Sequence, residues 1–119
     1  MLTVLVVEDE FGVADVVVTA LEDEGYRVLI AANGRQGMER LADTSPDLII
    51  LDFMMPIMDG AAMGKEVRAM PELADIPIVM TSAVGEAAVR ERFADFQAFL
   101  RKPFRIQELL ETVARLIGK

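Results

Sequence analysis

The chain alternates between short apolar runs and longer stretches in which apolar residues recur every three or four positions. The runs are LTVLVV (2–7), YRVLIA (26–31), DLIIL (47–51), IPIVM (76–80) and AFL (98–100). They are rich in β-branched residues and mostly continuous rather than alternating, as expected of parallel strands covered on both faces. Each is followed by a helical pattern. Repeated five times, this order predicts an α/β fold: a doubly wound, five-stranded parallel sheet between two helical layers.

The helical stretches carry their own punctuation. After the first strand, Ala14, Val17, Val18 and Leu21 fall on one face, and Gly25 is a stop before the second strand. Asn33 with Gln36 three residues on forms a capping-box start for the second helix. Asp59 can cap the third, whose stripe is Met63, Val67 and Met70 before Pro71 ends it. A fourth stretch near 85–94 is Ala-rich, with Val89 and Phe93 as its large anchors, so its packing should be the loosest. In the last helix Ile106, Leu109, Leu110, Val113 and Ile117 define the apolar face, widened by Leu116, while Arg105 is a poor N-cap and leaves that terminus to Glu108 and packing.

Length allows one domain, residues 1–119, and the sequence stops where the last helix stops, so the expectation is a domain with no effector domain after it. The net charge of -8, from 12 basic and 20 acidic residues, turns the chain away from direct contact with nucleic-acid phosphates and toward a cation. With no cysteine and no histidine, disulfides, thiolate or imidazole metal sites and Cys or His catalysis are excluded. The first apolar run is too short for a signal peptide and lacks a basic leader, and no window approaches the roughly 18 apolar residues of a membrane span. A cytoplasmic protein without membrane insertion is expected.

Ligands of a doubly wound sheet sit beyond the carboxyl ends of its strands, where strand order reverses. Glu8 and Asp9 follow the first strand and Asp52 the third. In order 2-1-3-4-5 those strands are neighbours, and three carboxylates share one crevice. Like charges so close take up protons or recruit a hard cation such as Mg²⁺, and the cation is the favoured reading. Thr81 and Ser82 end the fourth strand with hydroxyls, and Lys102 ends the fifth with an ammonium. The set suits phosphoryl transfer to a carboxylate: Asp52 as nucleophile forming an acyl phosphate, Lys102 and a metal against the phosphoryl oxygens, Thr81 as hydrogen-bond donor. Taken singly, each residue has a plainer use. An acidic pair suits a helix N-terminal region, Asp52 could form a turn before Pro56, Thr81 could be an ordinary strand-end hydroxyl, and Lys102 an exposed cation. Their joint occurrence at four strand ends favours chemistry.

LDFMMPIMDG (51–60), the acidic pair in VVEDE (6–10), TSA (81–83) and FLRKPF (99–104) resemble, in order and approximate spacing, the receiver domains of two-component response regulators, including single-domain chemotaxis-type ones. The resemblance covers essentially the whole chain. It implies a flavodoxin-like (βα)5 three-layer sandwich of strand order 2-1-3-4-5 and phosphotransfer from a histidine kinase or histidine phosphotransfer protein. By position, Asp52 resembles the phosphoacceptor, Glu8 and Asp9 the acids that hold Mg²⁺ with it, and Met54 the residue lending the metal a backbone carbonyl. Thr81 and Lys102 resemble the pair that contacts the phosphoryl group, and Phe99 the switch aromatic, whose core-filling use is the plainer alternative. The Lys102 to Pro103 peptide is expected to be cis. Phosphorylation would draw Thr81 inward, vacate space for Phe99 and remodel the face of helix four, strand five and helix five.

Some positions depart from the family's common pattern. Asp95 stands about where a glycine usually ends the fourth helix, so that turn should differ. Ser82 replaces a more frequent alanine and is still small enough to leave Phe99 a path. Met54 and Ala83 flank the line of water attack and cannot orient a water, so self-dephosphorylation should be slow to moderate.

Gly12, Val16, Thr19 and Asp23 project opposite the core stripe of the first helix, making Val16 an exposed apolar residue on the helix that docks the phosphodonor in the family resembled. A single exposed valine is also ordinary. Met55, Pro56 and Met58 are expected to be exposed beside the site. Output would run through a downstream protein effector or return of the phosphoryl group to a histidine protein, with a phosphorylation-dependent homodimer left open. The chain should turn over no external substrate, catalysing only its own phosphorylation and dephosphorylation. Two other functions compete. A haloacid-dehalogenase-type phosphohydrolase would need a second Asp where Met54 stands, and a phosphorylation-independent interaction module is opposed by the filled chemical positions. A stand-alone receiver and one excised from a larger regulator or hybrid kinase suit the sequence equally.

Overall fold

In a computed structural model, residues 1–118 are described; residue 119, the last of the expected domain range, lies outside the described residues. Each apolar run becomes a strand: β1 (Thr3–Val7), β2 (Arg27–Ala31), β3 (Leu48–Asp52), β4 (Ile78–Ser82) and β5 (Ala98–Arg101). Between and after them lie α1 (Phe11–Asp23), α2 (Gly34–Asp43), α3 (Gly60–Ala69), α4 (Glu86–Arg90) and α5 (Ile106–Ile117). The sheet is parallel throughout, in the order β2-β1-β3-β4-β5.

Alternation within the continuous runs divides the core in two. Leu5, Val7, Ile49, Leu51, Ile78 and Met80 face α2, α3 and α4, where Leu41, Met63, Val67 and Val89 meet them. Val4, Val6, Leu48, Ile50 and Val79 face α1 and α5, where Val17, Leu21, Leu109 and Val113 meet them. The three central strands are covered on both faces, and burying each large aliphatic there is worth about 2–3 kcal/mol.

Helix starts follow the predicted chemistry closely. The Asn33 side chain accepts from the Gln36 amide, and the Gln36 side chain reaches back to the amide of Ala32, one residue before the cap. Asp59 Oδ1 accepts from the Ala62 amide at the start of α3. Gly25 takes positive φ after α1, and Arg105 caps α5 with no side-chain bond. Glu108 lies in that first turn, and Thr112 on the same helix is buried with its hydroxyl donating to the Glu108 carbonyl.

Two expectations need correction. The fourth helix ends at Arg90 rather than near residue 94. Beyond it, Arg90 donates to the Ala94 carbonyl and Arg68 to the Asp95 carbonyl, so side chains take up acceptors outside the helix. Met70 is the C-cap of α3 and is 37% exposed, outside the buried stripe, because its backbone has already turned extended. The turn at Asp95 differs from a glycine-ended one, as expected: Asp95 is not in the left-handed region, and Ile57 is the one non-glycine with positive φ among the described residues.

Candidate functional site

The carboxyl ends of β1, β3 and β4 build the crevice. Beyond Val7, the Glu8 amide still bonds to Ala31 on β2, which aims the Glu8 side chain inward; the residue is buried while Asp9 beside it is exposed. Asp52 is the last residue of β3, only 4% exposed, and stands opposite Thr81 in the register with β4. Carboxylate oxygens of Glu8, Asp9 and Asp52 lie within 4.8 Å of one another.

Lys102 enters this cluster from the end of β5. Its amide bonds to the Ser82 carbonyl, and its ammonium donates to Glu8 Oε1 at 2.7 Å and pairs with Asp52 Oδ1 at 3.3 Å. Burial and the neighbouring Glu8 charge push the Asp52 carboxyl up to about 7, against the downward pull of Lys102. Burial works against the Lys102 ammonium, yet its bond to Glu8 and the Asp52 charge outweigh that and raise it. One partly buried cation thus faces three clustered carboxylates.

Thr81 is buried at the end of β4, and its carbonyl holds the Phe53 amide. Ser82 is fully buried, its hydroxyl accepting from the Val84 amide to turn the chain toward α4. The expected cis peptide joins Lys102 to Pro103. Phe99 lies opposite Met80 and is half-buried against the α3 side of the core.

The loop from β3 to α3 passes close to two glycines. A side chain on Gly60 would collide with the Asp52 carbonyl, and one on Gly34 would come within 2.6 Å of the Met58 carbonyl, to which the Gly34 amide bonds. Between them the Met58 amide bonds to the Pro56 carbonyl around Ile57, whose φ is 71. That is a γ-turn of the strained, positive-φ kind, and a β-branched residue in it costs about 1–2 kcal/mol.

Six predicted residues therefore sit where the strand ends meet: Glu8, Asp9, Asp52, Thr81, Lys102 and, on the adjoining loop, Met54. The flanking surface differs from expectation. Met55 and Met58 pack against the core rather than standing exposed, because the γ-turn presents Ile57 instead. Exposed apolar residues near the site include Met54, Pro56, Ile57, Val84 and Phe11, the last at 84%. Val16 is exposed as expected, beside a groove of about 520 Å³ lined by Val13, Val16, Val17, Pro103, Phe104 and Ile106. Neither Ile57 nor Phe11 was singled out by sequence reasoning. Phe11 falls off the periodic stripe of α1, which is the available signal, whereas isoleucine is the wrong residue type to announce a left-handed turn.

Comparison with known proteins agrees with this geometry. The family described as the response regulator receiver domain matches residues 4–114. The phosphate regulon transcriptional regulatory protein PhoB of Pseudomonas aeruginosa is 36% identical over 116 residues, covering 96% of this chain and 49% of that protein. The chain spans about half the length of the curated relatives it matches. Among solved structures, the receiver domain of sensor histidine kinase PA1611 from Pseudomonas aeruginosa, with a magnesium ion coordinated in its active site cleft, superposes with a TM-score of 0.91 at 31% identity, covering 99% of this chain and 98% of that one. The Vibrio cholerae chemotaxis protein CheY4 gives 0.91 at 31% identity over 98% of each chain. This chain belongs to the response regulator receiver domain family of two-component signalling.

Proposed function

We propose that Asp52 accepts a phosphoryl group in a Mg²⁺-dependent reaction, donated by a histidine kinase or histidine phosphotransfer protein, and that the product alters the α4, β5 and α5 face to control binding of a downstream protein. The observation that carries this reading is the convergence of Glu8, Asp9 and Lys102 on the buried carboxylate of Asp52.

The donor set fits the metal. All ligating atoms would be oxygens, from Glu8, Asp9, Asp52 and the Met54 backbone carbonyl, and burial first, then the Glu8 charge, penalises the ionised Asp52 that a cation would stabilise. Magnesium bound there would supply positive charge that keeps Asp52 ionised and offsets charge on the phosphoryl oxygens. The PA1611 receiver supports the assignment by holding magnesium in its own cleft.

In the transfer, a carboxylate oxygen of Asp52 forms a bond to phosphorus as the phosphorus–nitrogen bond of the phosphohistidine breaks, and the imidazole nitrogen keeps the electron pair. Lys102, already 3.3 Å from Asp52, stabilises the transferred oxygens, and the Thr81 hydroxyl donates to one of them. Movement of Thr81 then opens space for Phe99. The groove beside Val16 offers the donor an apolar seat next to the crevice.

On this reading the chain acts only on its own phosphoryl group, residues 1–119 form the receiver, and its place is the cytoplasm; no helix among the described residues is long and apolar enough to cross a membrane. Direct nucleic-acid contact is disfavoured for these residues by the net charge of -8. A phosphorylation-dependent homodimer is an open output. Incubation with acetyl phosphate tests the reading: intact mass should rise by one phosphoryl group only with Mg²⁺, and not in Asp52→Asn. An unmodified wild type that also fails to respond to beryllofluoride would overturn it in favour of an interaction module.

A further inference from the structure

Phe99 does not end in an isolated pocket. Its ring centroid lies 6.1 Å from that of Phe96, which lies 6.3 Å from that of Phe93, both pairs tilted by 40°. Such spacing and tilt make attractive aromatic contacts rather than incidental proximity. Phe93 and Phe96 are each 6% exposed. At the far end the Phe93 ring fits against Gly64 in the middle of α3, where a Cβ would come within 2.7 Å of its Cε2 and Cζ atoms. The outer face of Phe96 is closed by Arg90, whose guanidinium carbon lies 4.3 Å from the ring centroid while the side chain is held by Glu86 and the Ala94 carbonyl.

The backbone around these rings is tied to α3 at both ends. Arg92 pairs with Asp59, the N-cap of α3, at 3.0 Å. From the other end of α3, Arg68 donates to the Asp95 carbonyl and to the Gln97 side chain. Gln97 in turn receives the Ile78 amide of β4. The segment from Arg92 to Gln97 is therefore fastened to the start, middle and end of one helix. Close packing of this kind leaves one ring little room to shift without displacing the next.

We propose that Phe96 and Phe93 are positioning residues that couple Phe99 to α3, so that the state of Asp52 is read at Gly64 as well as on the α4, β5 and α5 face. The inference rests on the phosphoacceptor reading of Asp52. Contact alone does not demonstrate coupling, so the test must show that the response passes through the rings.

The experiment records amide and Gly64 Hα resonances by NMR, with and without beryllofluoride and Mg²⁺, for the wild type, Phe96→Leu and Arg90→Gln. Gly64 is a sensitive reporter because it lies against an aromatic ring, and it stands beyond the first turn of α3, which is attached directly to the Asp52 loop. The wild type should show shifts at residues 52 and 81 and also at Gly64 and Val67. In Phe96→Leu the shifts at 52 and 81 should persist while those at Gly64 and Val67 are lost. In Arg90→Gln, a surface change that leaves the fold intact if Phe96→Leu does not, the Gly64 shift should shrink. A filler role for Phe96 would lower stability and leave the Gly64 response unchanged, and that result overturns the proposal, as does a silent Gly64 in the wild type. No shift at residues 52 and 81 would instead defeat the phosphoacceptor reading on which the proposal stands.

Discussion

Replacing Asp52 by Asn should stabilise the metal-free protein, and the gain should grow with pH. The folded chain holds the Asp52 carboxyl at about 7 against an ordinary 3.8. Between those values the folded state keeps a proton that the unfolded chain has released. Stability from this residue is therefore full below the unfolded value and falls as pH rises through about 7. At about 1.4 kcal/mol per pH unit the interval amounts to a few kcal/mol, more than half of it lost between about pH 5 and about pH 8. Asparagine keeps the shape and removes the ionisation, while Glu8 remains as a partner for Lys102. Urea unfolding with a chelator present, at both pH values, reads the difference; the variant's advantage in midpoint should widen by about 1–2 M at the higher pH. An advantage that stays the same at the two pH values would refute the claim that a crowded, buried carboxylate carries the strain.

Ile57→Gly should stabilise the fold by about 1 kcal/mol, because glycine accepts positive φ without strain and the exposed isoleucine side chain packs on little; a lower urea midpoint in the variant would contradict the strained γ-turn. Arg68→Ala should cost about 2–3 kcal/mol, since the guanidinium serves the carbonyls of Ala74, Ile76 and Asp95 and the Gln97 side chain from a largely buried position; an unchanged midpoint would show those acceptors to be satisfied by water instead.

Much of this architecture was legible because its determinants are local. Continuous apolar runs specify buried parallel strands, and Asn33, Asp59 and Gly25 mark helix ends through bonds or backbone conformations within a few residues. The acidic cluster was legible for a different reason: strand order alone carries Glu8, Asp9 and Asp52 to one edge. The parts that escaped depend on distant partners. α4 stops early amid bonds from Arg90 and Arg68, the latter 27 residues from its acceptor Asp95. The γ-turn at Ile57 is braced by Gly34, whose role emerges only when α2 and the loop meet. The rings of Phe93, Phe96 and Phe99 recur at every third residue, but their seat against Gly64 emerges only when the segment after α4 packs on α3.

The central claim, that Asp52 itself carries the phosphoryl group, is tested most directly by chemical trapping. An acyl phosphate is reduced by borohydride to an alcohol, so treatment after acetyl phosphate and Mg²⁺ should convert the labelled aspartate to homoserine, located by peptide mass spectrometry. Homoserine at position 52 alone is the expected result. Homoserine at position 9 or 59 instead, or at none, would contradict the account.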